Sequence, residues 1–242
     1  MISTHPMLPK LKLLKLSGML NTLELRAEQA SQEQLSPLEF FALLLDDELE
    51  RREQNRLAYR LGTSGCNPSK TLSQFDFSVA VGVNRSFITD LAVCSFIQRH
   101  ENVLFCGPTG VGKTHLANAL GIEALKRSFR VISKPTYRLL ADLNASRANG
   151  SYNRLMASIL RCDLLILDDF GLTHLEQQQQ LDLMEMIEDR HGKASTIIAS
   201  QLPVANWYDV IGEETIADAI LDRIVHTSYR IELKGESLRK KR

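Results

Sequence analysis

The sequence predicts an α/β fold in which a doubly wound parallel sheet follows a small all-α domain. In the second part of the chain, short apolar runs alternate with helix-compatible segments, as strands and helices do in such sheets. In the first part, apolar residues recur at three- and four-residue spacing, which is typical of amphipathic helices. Residues 62–69 are rich in glycine and small polar side chains, which indicates a linker between the two parts.

The length supports this two-part organisation. The chain has 242 residues, and a domain commonly contains about 100–200 residues. We therefore expect a helical N-terminal domain at residues 1–68 and a larger sheet-containing domain at residues 69–242.

Composition excludes several classes of protein. Lys and Arg total 29, as do Asp and Glu, so any basic surface must be local. The cysteines form no C-x-x-C pair, which argues against a zinc site and a secreted disulfide framework. They are Cys66, Cys94, Cys106 and Cys162. The longest apolar run, residues 40–45, is too short to cross a bilayer, and the N-terminus lacks the apolar region of a signal peptide. We expect a cytoplasmic protein without a membrane partner.

The first amphipathic helix is predicted from a leucine-rich stripe. Its apolar positions are Leu13, Leu16, Leu20, Leu23 and Ala27. Basic side chains flank the stripe, so one face is expected to be buried and the other solvated.

The second helix carries a clear start signal. Ser36 is the predicted N-cap, Pro37 the first helical residue and Glu39 the reciprocal partner of a capping box. The outer face of this helix is expected to be charged, with Glu48 four residues before Arg52. The predicted buried positions are Leu38, Phe41, Ala42, Leu45 and Leu49.

The strands of the second part are predicted from their short β-branched or leucine-rich runs. Helical segments follow the first two runs, from His115 and from Pro135, and another is expected around residues 181–187. Ligands of such sheets bind beyond the carboxyl ends of the strands, where the polar residues that follow these runs should share one crevice. The predicted strands are residues 103–106, 130–133, 164–167 and 196–199.

Residues 107–114, between the first predicted strand and its helix, form a G-x-x-x-x-G-K-T phosphate-binding loop. Its glycines allow backbone N–H groups to surround a triphosphate, and Lys113 reaches the β- and γ-phosphates. The Thr114 hydroxyl is placed to ligate Mg²⁺ at a helix N-terminus. The loop residues are Gly107, Pro108, Thr109, Gly110, Val111, Gly112, Lys113 and Thr114. The chain is therefore predicted to bind ATP and Mg²⁺.

A second signature follows the strand at residues 164–167. Asp168 is assigned to Mg²⁺, and Asp169 to orienting the attacking water. Gln201 ends the next predicted strand, where it would contact the γ-phosphate or that water. Two aspartates or an amide at a strand end are also common in solvated turns, and the phosphate loop is what favours the catalytic interpretation.

The order of these motifs resembles that of the IstB-type ATP-binding proteins of insertion sequences, which are similar to the DnaC and DnaI helicase loaders of the AAA+ initiator group. The resemblance is carried by residues 107–117, by the Asp-Asp-Phe-Gly sequence at residues 168–171 and by the Ser-Gln-Leu-Pro sequence at residues 200–203. It implies an AAA+ P-loop NTPase core, with a helical lid that is reduced or absent because the sequence ends shortly after Arg239.

The resemblance also implies roles at further positions. Arg223 lies where such proteins carry the arginine finger that reaches the γ-phosphate of a neighbouring subunit, although a surface arginine is the alternative. Arg239 resembles a sensor that contacts nucleotide in its own subunit, although it also begins the basic tail of residues 239–242, which is the alternative. His115 belongs to the matched nucleotide-binding motif. Residues 75–85 are expected to supply adenine contacts. Asp169 stands where many motors carry glutamate, and we expect its shorter side chain to make hydrolysis slow.

DNA contacts are expected in a locally basic segment between the second and third strands, where initiator-group proteins carry a DNA-contacting helical element. Across residues 134–155 the only carboxylate is Asp142. Such side chains would meet backbone phosphates without reading sequence; a solvated basic face is the alternative. The candidate contacts are Lys134, Arg138, Arg147 and Arg154.

Together, the residues and the resemblance predict an ATPase that assists DNA transposition. Homo-oligomers joined through ATP would assemble on duplex DNA, stimulate a transposase of the same mobile element and disassemble on hydrolysis. The N-terminal helices are expected to serve assembly or partner contact. The alternatives are a helicase loader acting on single-stranded DNA and a chaperone-like ATPase that binds only protein.

Overall fold

The computed structural model describes residues 6–78, 81–235 and 237. The chain forms two compact units, Met1–Tyr59 and Arg60–Arg242. The units therefore divide earlier in the chain than the predicted domain boundary at residues 68 and 69. The glycine-rich segment predicted as a linker belongs to the second unit.

The first unit is helical, as predicted. It contains α1 (Leu8–Leu13), α2 (Ser17–Gln32) and the beginning of α3 (Pro37–Ser64). Lys15, at a φ of 56°, interrupts what was predicted as one helix. The predicted capping box at the start of α3 is confirmed, because Ser36 N donates to Glu39 Oε2 at 2.8 Å and Glu39 N donates to Ser36 Oγ at 3.3 Å.

A close approach of α2 to α3 determines which face of α3 is buried. Gly18 has no side chain, and a Cβ built there would lie 2.5 Å from the carbonyl oxygen of Asp47. Glu48 Oε2 accepts a 2.7 Å hydrogen bond from Gly18 N and so caps the first turn of α2. Burial would raise the pKa of Glu48, but Arg52 and the Gly18 and Met19 amides lower it overall. The carboxylate is therefore a buried, paired anion.

The predicted buried face of α3 is wrong. The structure buries Leu44 and Glu48, with Phe40 packed beside them, because the Gly18 contact turns this face toward α2. The face predicted to be buried is solvent-exposed, with 81% of Leu38 and 64% of Leu49 accessible. Its members are Leu38, Phe41, Ala42, Leu45 and Leu49.

The second unit is built on a parallel sheet in the order β2-β3-β4-β1-β5. All four predicted strands are present, with small changes at their ends. The fifth strand was not predicted, because its polar residues lack an apolar run. The strands are β1 (Asn102–Cys106), β2 (Val131–Pro135), β3 (Leu164–Phe170), β4 (Ser195–Ser200) and β5 (Ser228–Glu232).

Helices connect the parallel strands and cover the sheet. The two that matter most for the site are α6, which follows β1, and α9, which follows β3. The α-helices of this unit are α4 (Arg85–Leu91), α5 (Ser95–Gln98), α6 (Lys113–Lys126), α7 (Thr136–Ala148), α8 (Tyr152–Leu160), α9 (Gln177–Arg190), α10 (Trp207–Ile211) and α11 (Glu214–Val225). Short 3-10 helices lie at Leu72–Gln74 and Val204–Asn206.

The core lies between the sheet and these helices. β1 and β4 are buried along their whole length, as expected for central strands of a parallel sheet that is covered on both faces. The rings of Phe170 and Trp207 pack at a centroid distance of 4.7 Å. This packing holds the carboxyl ends of β3 and β4 in place next to the phosphate loop.

Candidate nucleotide site

The phosphate loop joins the end of β1 to the start of α6. Gly107, Gly110 and Gly112 all have positive φ, at 142°, 86° and 103°, a region that side chains disfavour. At Gly107 a Cβ would also lie 2.1 Å from the carbonyl oxygen of Leu233. The glycines are therefore required by backbone geometry, and the loop presents the N-terminus of a 14-residue helix, a geometry suited to an anion.

Lys113 lies inside this loop. Its side-chain nitrogen donates to the carbonyl oxygens of Gly107 and Pro108, both at 2.7 Å. The residue is 7% exposed, so its charge is largely withheld from bulk water. The ammonium therefore lies within the loop, and its contact with the β- and γ-phosphates stays a prediction.

Thr114 and Asp168 come together as predicted from their positions in the sequence. The Thr114 hydroxyl donates a 3.0 Å hydrogen bond to Asp168 Oδ1. Burial raises the pKa of Asp168, and the neighbouring charge of Asp169 raises it further, against the lowering effect of the Thr114 hydrogen bond. The raised pKa means that the ionised carboxylate is disfavoured in this environment, and an added cation would stabilise it.

The second aspartate follows an irregularity in β3. Asp169 has a φ of 53°, and the pairing of β3 with β4 shifts register between Leu167 and Phe170. The Asp169 amide donates to Asp168 Oδ1 at 3.0 Å. The strand therefore continues past both carboxylates to Phe170, whereas we predicted that it ends before them. The irregularity in the pairing of β3 with β4 therefore lies at the two aspartates.

The hydroxyl and carboxylate oxygens fit Mg²⁺, which favours hard oxygen ligands and commonly shares them with phosphate and water. Among residues 6–78, 81–235 and 237, no group of three or more His, Cys, Asp or Glu side chains is arranged to hold a metal ion. A Mg²⁺ ion here would therefore rely on Thr114, Asp168 and the phosphates of a bound nucleotide.

Gln201 is brought to the phosphate loop from the next strand. Its Oε1 accepts a 2.6 Å hydrogen bond from the Thr109 hydroxyl. This contact joins the end of β4 to the middle of the loop, across 92 positions of sequence. Gln201 is thus held beside the phosphate loop, and its contact with the γ-phosphate or the attacking water stays a prediction.

The segment predicted as a linker is fastened to α6. Asn118 Nδ2 donates to the carbonyl oxygens of Asn67 and Lys70, at 2.9 and 3.1 Å. The His115 ring donates to the carbonyl oxygen of Thr71 at 2.7 Å, so its Nε2 is used by the protein. We call residues 66–75 the strap. Sequence reasoning missed the strap because glycine, proline and serine content does not reveal these long-range hydrogen bonds.

Part of the segment expected to contact adenine lies beside the loop helix. The rings of Phe75 and His115 pack edge to face, with centroids 5.3 Å apart, and Phe77 packs on Phe75 at 4.8 Å. Val79 and Ala80 lie outside the described residues. Adenine contact by residues 75–85 stays a prediction, as does the sensor role of Arg239, which also lies outside the described residues.

Arg223 lies at the other end of the sheet from its own phosphate loop. Its carbonyl oxygen accepts a 3.4 Å hydrogen bond from Asn102, the first residue of β1, whereas the loop follows the last. A strand rises about 3.3 Å per residue, so β1 separates the two by roughly 13 Å. The Arg223 guanidinium pairs with Glu188 at 2.5 Å. Within one subunit it is therefore not part of the phosphate site.

The predicted DNA-contacting residues differ in their partners. Lys134 pairs with Asp142, and Arg147 pairs with the buried Asp182 of α9 while stacking 3.8 Å from the centre of the Tyr152 ring. Counting residues 134–155 alone therefore overstates the net positive charge of this surface. The acidic side chain of Asp182 on α9 contacts Arg147 and neutralises part of the positive charge.

Two of the four candidates keep their charge available. Arg138 contacts the ring and hydroxyl of Tyr137, and Arg154 is exposed. Within the described parts of the chain, neither forms an ion pair with a carboxylate. They are the stronger candidates for contact with phosphates.

No helix among the described residues is long and apolar enough to cross a membrane. All four cysteines are buried as free thiols. Burial raises the pKa of Cys94 and of Cys106 to about 11 in each case, so these groups stay protonated near neutral pH.

Known proteins are similar to this chain over nearly its whole length. A family model described as IstB-like ATP binding protein matches residues 9–242. A Sinorhizobium fredii protein, y4pL, named as an insertion sequence ATP-binding protein, is 42% identical over 236 residues, which are 98% of this chain and 96% of the relative. The protein named for ATP binding in the insertion sequence IS21 of Pseudomonas aeruginosa is 35% identical over 237 residues, covering 98% of this chain and 89% of its own.

Solved structures are similar in fold. A DnaC helicase loader matches with a TM-score of 0.56 and 22% identity, over 69% of this chain and 98% of its own. AMPPCP-bound DnaA from Aquifex aeolicus matches with a TM-score of 0.58 and 23% identity, over 72% of this chain, which covers only 53% of DnaA. At these identities the likeness concerns the fold alone.

Proposed function

Since this chain belongs to the IstB-like ATP binding protein family, we propose that it is an ATP-dependent regulator of DNA transposition. In this proposal it assembles on duplex DNA with ATP bound, recruits and stimulates a transposase, and leaves the DNA after hydrolysis. The observation that carries the proposal is the convergence of Lys113, Thr114, Asp168 and Gln201 around one phosphate loop.

Binding of ATP is assigned to the loop and its helix. The backbone N–H groups of the loop residues other than Pro108 would surround the phosphates, and Lys113 would exchange its carbonyl partners for phosphate oxygens. Mg²⁺, held by Thr114 and Asp168, would neutralise charge that develops on the phosphates. Side chains at Gly107 and Gly110 would distort the loop, because a Cβ there would lie 2.1 Å from the Leu233 carbonyl oxygen and 2.1 Å from Ser237 Oγ, respectively.

Hydrolysis is assigned to Asp169 and Gln201, which are expected to lie near the γ-phosphate. Asp169 would orient the attacking water, and Gln201, positioned by Thr109, would contact the γ-phosphate or that water. Because Asp169 is shorter than the glutamate of many related motors, the proposed rate is slow. A slow rate suits a protein that must remain assembled while its partner acts.

The site is proposed to be completed by a second subunit. Arg223 lies too far from its own loop to reach the phosphate, yet Glu188 holds its guanidinium near the surface, at 27% side-chain exposure. A neighbouring subunit could place this arginine against the γ-phosphate, where it would stabilise the transition state. ATP would thus join subunits, and hydrolysis would weaken the assembly.

Contact with duplex DNA is assigned first to Arg138 and Arg154, whose charges are not consumed by carboxylates among the described residues. Lys134 and Arg147 would contribute only after leaving Asp142 and Asp182. Contacts of this kind read the backbone and make binding strongly dependent on salt.

The helical first unit is proposed to contact the transposase or other subunits. Its support is the exposed apolar face of α3, which includes Phe41 at 53% and Leu45 at 40% exposure. A contiguous exposed face of this kind is typical of interaction surfaces. The names of the relatives, which refer to insertion sequences, support a transposase as the partner.

The deciding experiment compares binding to double- and single-stranded DNA of equal length, with ATP, ADP or a non-hydrolysable ATP analogue, while assembly size is followed. Large assemblies on duplex DNA that require ATP would support the proposal, and Lys113→Ala should abolish them. Preference for single strands would favour a helicase loader. Nucleotide binding without any DNA binding at low salt would favour a protein-only ATPase.

A further inference from the structure

Thr136 is the first residue of α7 and lies against the end of β3. Its hydroxyl donates a 3.0 Å hydrogen bond to the backbone carbonyl oxygen of Asp168, and the residue is 3% exposed. The preceding residue, Pro135, is the last of β2 and is in register with Asp168, but a proline has no N–H to donate. The Thr136 hydroxyl therefore joins the start of α7 directly to the aspartate that is assigned to Mg²⁺.

The backbone of Asp168 lies in the irregular part of β3. The pairing of β3 with β4 shifts register between Leu167 and Phe170, and Asp169 has a φ of 53°, which few residues other than glycine adopt. A regular ladder does not hold the Asp168 backbone on the β4 side. A change at its carboxylate can therefore move this backbone, and the carbonyl oxygen that Thr136 binds moves with it.

The Asp168 carboxylate has contacts that a bound nucleotide would change. Its Oδ1 accepts hydrogen bonds from the Thr114 hydroxyl and from the Asp169 amide, both at 3.0 Å. If Thr114 and Asp168 become ligands of the Mg²⁺ that accompanies ATP, their oxygens can no longer keep these hydrogen bonds unchanged. Asp168 thus has the proposed metal on its side chain and Thr136 on its backbone.

The first turn of α7 also carries a predicted DNA contact. Arg138 follows Thr136 by two residues, is exposed and lies 5.7 Å from the centre of the Tyr137 ring. The opposite face of the helix is packed in the core through Leu139, Leu140 and Leu143. Because the helix is packed along its length, a displacement of Thr136 displaces Arg138 as well.

We propose that Thr136 is a positioning residue through which the nucleotide at Asp168 controls the DNA contact of Arg138. The inference rests on the proposed function, since it requires ATP in the phosphate loop and duplex DNA at Arg138. The hydroxyl itself touches neither nucleotide nor DNA in this proposal. Because coupling between two ligands is reciprocal, DNA should raise the affinity for ATP relative to ADP by the same factor.

The far end of α7 gives this coupling a direction. Arg147, in the last turn, pairs with the buried Asp182 of α9. With that end held, a shift of the Asp168 carbonyl acts on the first turn, where Thr136 and Arg138 lie. The effect on DNA binding should therefore depend on Arg138 and not on Arg147.

The test measures dissociation constants of a short DNA duplex with Mg²⁺ and either ADP or a non-hydrolysable ATP analogue. The coupling ratio is the DNA affinity with the analogue divided by the DNA affinity with ADP. In full-length Thr136→Val, which lacks the hydroxyl, this ratio should fall by about three- to tenfold, the equivalent of one hydrogen bond. Thr136→Ser keeps the hydroxyl and should retain the ratio.

Ser146→Ala is the matched control. Ser146 is a buried hydroxyl residue near the other end of α7, and it donates at 2.6 Å to the Leu143 carbonyl oxygen of the same helix. Its removal should leave the coupling ratio unchanged. Thr136→Ala, which removes the hydroxyl without adding a second methyl group, should lower the ratio as Thr136→Val does, and it replaces that variant if valine prevents folding.

Two further measurements separate coupling from a general structural role. Without DNA, the affinity of Thr136→Val for the ATP analogue should change by less than about threefold, and its assembly size with the analogue should match that of the unmodified chain. The melting temperature reports whether each variant is folded.

An unchanged coupling ratio in folded Thr136→Val or Thr136→Ala would overturn the inference and leave the proposed function standing. A lower ratio that is explained by lost nucleotide affinity or by a smaller assembly would also overturn it, because the effect would not then pass through α7. If the unmodified chain binds duplex DNA equally with the analogue and with ADP, the proposed function fails together with the inference.

Discussion

The Thr109 hydroxyl donates a 2.6 Å hydrogen bond to Gln201 Oε1 and so ties the phosphate loop to the end of β4. Gln201→Ala removes this hydrogen bond and also the amide that is expected at the γ-phosphate. We expect ATP hydrolysis to fall by about tenfold or more, while ATP affinity changes by less than about threefold. Steady-state hydrolysis and equilibrium binding measure the two effects.

Thr109→Val provides the control for that experiment, since it removes the hydrogen bond between the two residues but keeps the Gln201 amide. An intermediate loss of hydrolysis is expected. If Gln201→Ala hydrolysed ATP at the rate of the unmodified chain, the catalytic assignment of Gln201 would be wrong, and its contact with Thr109 would only stabilise the loop.

Arg223 is expected to act on the neighbouring subunit. Arg223→Ala should lower hydrolysis by about 10³-fold, the scale of a lost arginine finger, with ATP still bound. Mixing it with equal amounts of Asp169→Asn, which is defective in its own site, should restore activity at about a quarter of the interfaces if subunits associate at random in a head-to-tail arrangement. Two inactive proteins would thus regain activity together.

Glu188→Gln is the control, because it removes the partner of Arg223 without removing the guanidinium. We expect it to keep most of the activity. Absence of any recovery in the mixture, with mixed assembly verified, would contradict action between subunits.

DNA binding should distinguish Arg147, which pairs with Asp182, from Arg138 and Arg154, which form no ion pair with a carboxylate of the described residues. Reversal of Arg138 or Arg154 to glutamate should weaken duplex binding in the presence of ATP, and neutralisation to glutamine should reduce the slope of log affinity against log salt by about one for each phosphate contact. Arg147→Gln should leave the slope unchanged and instead destabilise the protein, because it leaves the buried Asp182 without its guanidinium. Titrations at several salt concentrations test this.

Asp182→Asn gives the complementary measurement. It releases Arg147 from its carboxylate, so DNA affinity should stay the same or rise. A fall in DNA affinity for Arg147→Gln equal to that for Arg138→Gln, with unchanged stability, would show that Arg147 contacts DNA despite its partner.

Gly18→Ala should destabilise the helical unit by about 2 kcal/mol, because overpacking has costs of this size and the added methyl would lie 2.5 Å from Glu48 Cα. Gly62→Ala is the control within α3, where a Cβ meets no atom within 4 Å. There alanine should stabilise the helix by up to about 1 kcal/mol. Urea unfolding followed by circular dichroism measures both, and equal effects of the two changes would refute the close approach of α2 and α3.

The buried thiols should make stability depend on pH in the alkaline range. The pKa of both Cys94 and Cys106 is about 11 in the folded chain, against about 8.5 for a free thiol. The unfolded chain thus loses these protons first, so the stabilisation is complete below about pH 8.5 and is lost as pH rises toward 11. Urea unfolding between pH 7 and pH 10.5 should show a decline that is smaller in Cys106→Ala.

Thiol reactivity offers an independent check. At pH 8 only about one in a thousand of such thiols is ionised, so alkylation of the folded chain should be slow and alkylation in urea fast. Rapid labelling of Cys106 in the folded chain would contradict its burial at the end of β1.

The motifs of the sequence were sufficient for the fold class and the family. The AAA+ fold and the IstB-like family are both confirmed, by the sheet order, the family match and the likeness to DnaC. The phosphate loop could be predicted because its chemistry depends on residues that are adjacent in sequence. The pairing of Thr114 with Asp168 followed from the rule that strand ends of a parallel sheet meet at one edge.

Local patterns failed where a distant contact decided the outcome. The buried face of α3 was assigned to its most apolar stripe, but the bare backbone at Gly18 lets α2 pack against Leu44 and Glu48 instead. The basic segment was counted along the chain, whereas Asp182 neutralises Arg147 across 35 positions. Residues 62–69 were predicted to be a linker, although hydrogen bonds to Asn118 hold part of them.

The sequence by itself determined the fold class and the family of this protein, because the phosphate loop and the acidic end of a strand are recognised from residues that are adjacent in the chain. Only the tertiary structure decided which charges remain available and which are consumed by partners. The physical reason is that burial and ion pairing depend on distance in space. The pairing of Arg147 with Asp182 and the hydrogen bonds of Asn118 to Asn67 and Lys70 are properties of packing, which spacing along the chain does not encode.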